Sequence, residues 1–313
     1  MGLGGGIGAS RLWRVLAAAV DPSRLTVVVN TGDDLWMHGL RICPDLDTTL
    51  YALSGRQDPT RGWGLSDESF RCMEALRGLG HRVWFNLGDL DLATHLLRTG
   101  LLHDGLRLTE ITGRLTAAMG VRARVLPMTE QEVTTRVETA DGRQLHYEEY
   151  LVLHRASPPV RRVLYDGVER ATPAPGVLEA IAAADIVVLA PSNPIASVAP
   201  VLAVPGLRDA LEGTAATVVA VSPIVSGVPI TEPGERARAR SRAALLASVG
   251  VPATASGVAR LYRRLCQRYV LDSADRDEAD AVRALGLDPV VLPTLLHAGA
   301  PAEAIKEAVL AAV

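Results

Sequence analysis

Aromatic residues are scarce in this sequence of 313, at 4 %, and there are only 3 cysteines. Cys43, Cys72 and Cys266 are odd in number, far apart and free of CxxC or Cys/His spacing, which excludes a disulfide framework and points to reduced thiols of a cytoplasmic protein. No apolar run approaches the roughly 20 residues of a membrane span; those such as Ile186 to Ala190 have only a strand's length, and no signal peptide is recognisable, so membrane insertion is not expected. Basic excess is also lacking. The 32 Lys and Arg stand against 35 Asp and Glu, a formal charge of −3, and the arginines are spread along the chain, which argues against nucleic acid as a partner. What remains, 48 % hydrophobic and 21 % charged, is the composition of a folded protein with a large core.

Three short β-branched runs, Leu25 to Val29, Ile186 to Ala190 and Thr217 to Val221, are apolar on both faces and separated by helical stretches. Parallel strands covered by helices have this pattern. Helices are predicted over Ala9–Ala19, Asp67–Arg77, Leu90–Thr99, Leu108–Met119, Gly176–Ala183, Arg236–Ser248, Gly257–Tyr269, Asp277–Leu285 and Ala302–Ala312. In the middle, Val133 to Glu138 and Gln144 to Leu153 alternate and are joined by Ala140-Asp141-Gly142, a hairpin signal. The expected fold is α/β: a Rossmann-like doubly wound parallel sheet formed by residues 1–60 and 170–313, with a smaller α+β lobe inserted at 60–170. The apolar stretch Val290 to Leu296 suits a homodimer face as well as a core, and a homodimer is expected.

Gly4, Gly5, Gly6 and Gly8 lead into a helix, and Gly4-x-Gly6-x-x-Ala9 matches the dinucleotide fingerprint in form. Glycines let a backbone approach a phosphate, and the first turn of the following helix donates its N–H groups there. Only three residues precede the loop. They look too few for the buried strand that normally feeds it, so that strand is expected to be missing from the sequence.

Just past the run at Val29 stand Asn30-Thr31-Gly32-Asp33-Asp34, then Pro44-Asp45-Leu46-Asp47-Thr48. Four carboxylates at a strand's carboxyl end suit a hard cation or the proton of a hydroxyl. The plainer reading makes Asp33 and Asp34 a turn and Asp45 and Asp47 helix caps, which accounts for one or two of the four. Further on, Asp89 or Asp91 is expected to cap the helix carrying His95 and Arg98, which share a face; His95 reads as structural, whereas Asn86 and Gly88 lie in the loop where a ligand is met. Two later strands end in Pro191-Ser192-Asn193-Pro194 and in Ser222-Pro223-Ile224-Val225-Ser226-Gly227. These are either ordinary turns or rigid loops offering hydrogen bonds to a base or phosphate.

These segments, in this order, with Leu87-Gly88-Asp89-x-Asp91-x-Ala93-Thr94-His95 between them, resemble the 2-phospho-L-lactate transferase family, which makes a late precursor of the deazaflavin coenzyme F-420. The resemblance implies transfer of a phosphorylated three-carbon acid from a guanosine diphosphate-linked donor to the terminal ribityl hydroxyl of the deazaflavin Fo, with GMP released and magnesium required. It implies Fo contact at Asp47 and Asn86, although the family more usually has a basic residue at the latter. It puts the nucleotide at Gly5, Gly6, Gly8, Ser192, Asn193, Ser222 and Gly227, the metal at Asp33, Asp34 and Asp45, and catalytic work on Asp47 and Asp34. The segments Leu40 to Asp45 and Asp58 to Gly64 look most like the members that use a phosphoenolpyruvate-derived donor rather than phospholactate. Two alternatives are kept. A related family of nucleotide-sugar-binding regulators shares the core but usually reads Asp-Asp-Gly-Gly-Ser where this chain has Asp33-Asp34-Leu35-Trp36-Met37, and an NAD(P) dehydrogenase rests on the glycine fingerprint alone.

Overall fold

The computed structural model describes residues 1–295 and 302–310. The chain opens with β1 (Gly2–Gly4) and α1 (Gly6–Ala19), then β2 (Thr26–Val29), a hairpin of β3 (Leu35–Met37) and β4 (Leu40–Ile42), and α2 (Pro44–Leu53). Next come α3 (Arg71–Gly78), α4 (Asp89–His103), α5 (Leu108–Ala118), β5 (Arg124–Pro127), and the strands β6 (Thr134–Thr139), β7 (Gln144–His146) and β8 (Val160–Asp166). Helices and strands then alternate: α6 (Val177–Ala182), β9 (Ile186–Leu189), α7 (Ala199–Ala203), α8 (Leu207–Glu212), β10 (Thr217–Val221), α9 (Pro233–Ser248), α10 (Ala255–Tyr262), β11 (Arg268–Leu271), α11 (Ala279–Arg283), β12 (Asp288–Val291) and α12 (Ala302–Leu310).

Seven strands form one parallel sheet in the order β12-β11-β10-β9-β1-β2-β5. Successive residues of a strand point to opposite faces, and here they enter different cores. Val28, Val187, Leu189, Val218 and Ala220 join one apolar cluster, while Val27, Val29, Val188, Val219 and Val221 join the other. Each valine or leucine among them contributes roughly 1.5–3 kcal/mol on burial, which a one-sided sheet would forgo for about half of them. Both faces are therefore covered by helices.

The first strand is present, against expectation. Three residues suffice because β1 lies between β2 and β9 and pairs with both: Gly2 is in register with Val27 on one side and Val188 on the other. Leu3 is fully buried, and the place of a side chain at Gly2 is taken by the Trp13 ring of α1, 2.4 Å from where a Cβ would stand.

Other boundaries shift for tertiary reasons. The helix expected over Gly257–Tyr269 stops at Tyr262, because Arg268–Leu271 pairs with β10. The segment expected to run extended to Leu153 leaves the hairpin at His146 and coils over Glu149–Leu153, burying Tyr150. Within the stretch 60–170, expected as a separate lobe, β5 is instead the edge strand of the main sheet, while β7, β6 and β8 form an antiparallel sheet of their own. Asp89 does not cap α4. Its carboxylate accepts from the backbone N–H groups of Arg71 and Cys72 at 3.2 and 3.1 Å, so it caps α3 from across the fold. In the Val290 to Leu296 stretch, Val290 packs in the core and Leu296 lies outside the described residues.

Candidate active site

The chain leaves β1 toward β2 on one side and later returns to place β9 on the other, so the carboxyl ends of β1 and β9 form the switch point where such sheets open a crevice. The glycine loop sits there. The Gly5 N–H donates to Ser192 Oγ at 3.1 Å, and that hydroxyl donates to the Gly5 carbonyl at 2.8 Å. A Cβ on Gly8 would stand 2.3 Å from the Pro191 carbonyl oxygen, and one on Gly5 would stand 1.9 Å from Asp45 Oδ2. Those contacts require glycine. Gly5→Ala is thus expected to push Asp45 out of place, lowering stability by about 1–3 kcal/mol and turnover much further; thermal melts beside single-turnover assays check this, and an unaltered melt would show that the loop relaxes freely.

The acids do not cap α2, whose N-cap is Cys43 without a side-chain bond. Asp45 instead folds back to the glycine loop, accepting from Asn30 Nδ2 at 2.9 Å and from the Gly6 N–H. An internal carboxylate thereby occupies the anion-seeking start of α1. Asp33 and Glu148 lie close enough to act on it electrostatically, and all three are buried. Burial first, and mutual repulsion second, push Asp33 well above the usual carboxylate range and Glu148 to about 8. Asp45 is raised to about 7, chiefly by burial. Asp33 Oδ1 is buried without a hydrogen-bond partner. Glu148 escaped the sequence reading because nothing local distinguishes one acid after a short strand; only the packing of the small sheet brings it here.

Asp34 faces elsewhere. Arg41 Nη2 reaches its Oδ2 at 3.3 Å, and burial, only partly offset by that guanidinium, raises it to about 6. Asp33, Asp34 and Asp45 therefore do not converge as one ligand set: among the described residues, the acidic and histidine groups whose ligand atoms lie within 4.8 Å of one another are Asp47, Asp91 and His95. That trio already has its cation. Arg98, 1 % exposed, grips both Asp47 oxygens, one at 3.1 Å, and also donates to the Arg41 carbonyl at 3.3 Å. His95 lies 3.5 Å from Asp47 and 3.2 Å from Asp91, which accepts from the Tyr51 hydroxyl at 2.5 Å. A metal beside a buried guanidinium would meet repulsion, whereas no ion pair joins Asp33, Asp45 or Glu148 among the described residues, so on charge the latter fit a divalent cation better, although as they stand their ligand atoms do not all lie within 4.8 Å of one another either.

Several expected contacts are satisfied inside the protein. Asn193 Oδ1 accepts from the Ile195 and Ala196 N–H groups, and Ser222 exchanges bonds with Ile224, so both act as turn formers. Gly227 takes φ 70° in an open loop. Asn86 accepts from Arg77 at 3.0 Å in an exposed hydrogen bond.

Fold and site together define a doubly wound α/β protein whose glycine loop and buried acids meet at the switch point, an arrangement suited to phosphate chemistry. The chain belongs to the 2-phospho-L-lactate transferase CofD family, whose model matches residues 1–287. It is similar to the phosphoenolpyruvate transferase of Streptomyces griseus, 40 % identical over 299 residues that cover 94 % of this chain and 92 % of that protein. It is also similar to the protein of that name from Thermobifida fusca, 42 % identical over 301 residues covering 91 % of this chain and 90 % of that one. A solved UPF0052-family structure from Bacillus halodurans shares the fold, with a TM-score of 0.63 at 20 % identity over 99 % of this chain and 97 % of that one. The chain is accordingly an enzyme of a group-transferring family. Among the described residues, no helix is long and apolar enough to cross a membrane.

Proposed function

We propose that the protein transfers a phosphoenolpyruvyl group, in preference to 2-phospho-L-lactyl, from a guanosine diphosphate-linked donor to the terminal hydroxyl of Fo, releasing GMP on the way to coenzyme F-420. The observation that carries the reading is the group of buried acids beside the glycine loop, raised by burial and mutual repulsion, in a chain of this family. The relatives' names favour phosphoenolpyruvate over phospholactate.

In this reading Asp33, Asp45 and Glu148 would hold magnesium, which would supply neutralisation of charge on the transferring phosphate. The nucleotide lies along Gly5, Gly6 and Gly8, with the loops of Ser192, Asn193, Ser222 and Gly227 closing around it through their backbones. Asp34, ionised at neutral pH with a value of about 6, takes the proton of the attacking hydroxyl. Asp47, held still by Arg98, orients that hydroxyl, and Asn86 meets the acceptor further out. The enzyme works as a cytoplasmic homodimer.

The test is to incubate the protein with Fo, magnesium, GTP, a partner guanylyltransferase and either phosphoenolpyruvate or phospholactate, following the deazaflavin by mass. A product heavier by the phosphoenolpyruvyl group is expected. Binding of a UDP-sugar with no turnover of Fo would instead favour the regulator, for which the UDP-sugar is the discriminating ligand.

A further inference from the structure

Of the four tryptophans, Trp13 is buried and Trp63 and Trp84 are partly covered, whereas Trp36 is 49 % exposed. An exposed indole is ordinarily free to turn. This one is held. The two-residue turn at His38-Gly39, both with positive φ (52° and 77°), closes the hairpin of β3 and β4 and fixes a register that puts Trp36 opposite Arg41. Leu35 and Ile42 of the same hairpin are buried in a small apolar cluster, which anchors one face and leaves Trp36 and Arg41 on the other. The Trp36 ring N–H donates to Glu132 at 2.8 Å, and the Arg41 guanidinium carbon stands 5.8 Å from the ring centre.

Arg41 also connects that ring to the site. One of its nitrogens bonds Glu132 at 3.2 Å and another bonds Asp34 at 3.3 Å, while its carbonyl accepts from the same Arg98 that grips Asp47. The indole is thus joined to both acids, to Asp34 through Arg41 and to Asp47 through Arg41 and Arg98.

From this geometry we infer that Trp36 is the stacking platform for the planar heteroaromatic part of the acceptor, with Glu132 and Arg41 as its positioning residues. The inference rests on the proposed function for the identity of the acceptor and on the hairpin for the platform itself. A flat ring laid on a pre-set indole gains contact area at little entropic cost, and stacking of this kind is worth about 1–3 kcal/mol. On this inference the polyol arm of the acceptor runs from the ring toward Asp34, two residues from Trp36 in the chain and bonded to the same Arg41 that stands over the indole, which suits a substrate whose reacting hydroxyl is remote from its aromatic system.

The test compares Trp36→Ala, Trp36→Phe and Glu132→Ala with the wild type, using Fo as the probe. Trp36→Ala is expected to raise the KM for Fo about 5- to 150-fold with kcat little altered, Trp36→Phe to retain most of the affinity, and Glu132→Ala to give a smaller rise. Titration with Fo is expected to quench tryptophan emission in the wild type and much less in Trp36→Phe. Because the residue is half exposed, melting temperatures are expected to match. If turnover proceeds and Trp36→Ala keeps the wild-type KM, the platform is wrong and the transferase stands. If Fo is not turned over but quenching is lost only with Trp36, the transferase reading is wrong and the platform stands. A Trp36→Ala protein that changes from dimer to monomer with quenching intact would assign the residue to a subunit contact and overturn the inference.

Discussion

Asp45→Asn is expected to lower turnover about 100- to 1000-fold while raising the melting temperature at pH 8. The first effect follows from position. Asp45 is the acid that joins the glycine loop to the group proposed to hold the metal, and loss of one preorganised charge at a phosphoryl-transfer site typically costs this much. The amide keeps the volume and one acceptor for Asn30 or the Gly6 N–H, so the loop has no reason to collapse. The second effect follows from electrostatics, because Asp33, Asp45 and Glu148 repel one another when ionised and the substitution removes one of the three charges. Steady-state rates at saturating magnesium, with melts at pH 5 and pH 8, test both. More than half the wild-type turnover in Asp45→Asn would remove the acid from the mechanism, and a melt that falls equally at both pH values would show a packing defect instead of relieved repulsion.

In the absence of divalent cations, stability is expected to decline as pH rises from about 5 to 8.5. The sign comes from proton linkage. Unfolded carboxylates titrate near pH 4, whereas the folded protein holds Asp34 at about 6, Asp45 at about 7 and Glu148 at about 8. Across that window the native state binds more protons than the unfolded chain, so raising the pH favours unfolding; below pH 4 this contribution is fully present. Carboxyls held low by hydrogen bonds to their charged form, such as Asp58 and Asp89, have the opposite slope but lose their contribution only at lower pH. A drop of roughly 5–10 °C in melting temperature is expected, given a few kcal/mol and a chain of this size. Magnesium is expected to reverse most of it at pH 8 and little at pH 5, since a ligand at 100 times its dissociation constant adds about 2.7 kcal/mol. A flat profile in EDTA would mean that the acids are compensated in the native state, and a magnesium effect equal at both pH values would place the ion elsewhere.

Local pattern was sufficient for the framework. The β-branched runs at Val27, Val187 and Val218 are strands because only a sheet covered on both faces buries both sides of them, and the turn residues at Ala140-Asp141-Gly142 close a hairpin wherever they are placed. The ordered acidic and loop motifs likewise revealed the family. Pattern failed where an element depends on distant partners. A three-residue strand at Gly2–Gly4 is stable only between two neighbours, and Asp89 is a cap only for a helix that begins 18 residues earlier in the chain.

The same division runs through the site. By itself the sequence determined that acids gather after β2 and that glycines precede α1, because both are consecutive residues at a strand's end. Only the tertiary structure decided how those acids divide. Burial and charge act through space: Asp34 turned to Arg41, Asp47 went to Arg98, 51 residues further along the chain, and Asp33 and Asp45 were left with Glu148, an acid that the small sheet delivers from more than a hundred residues away.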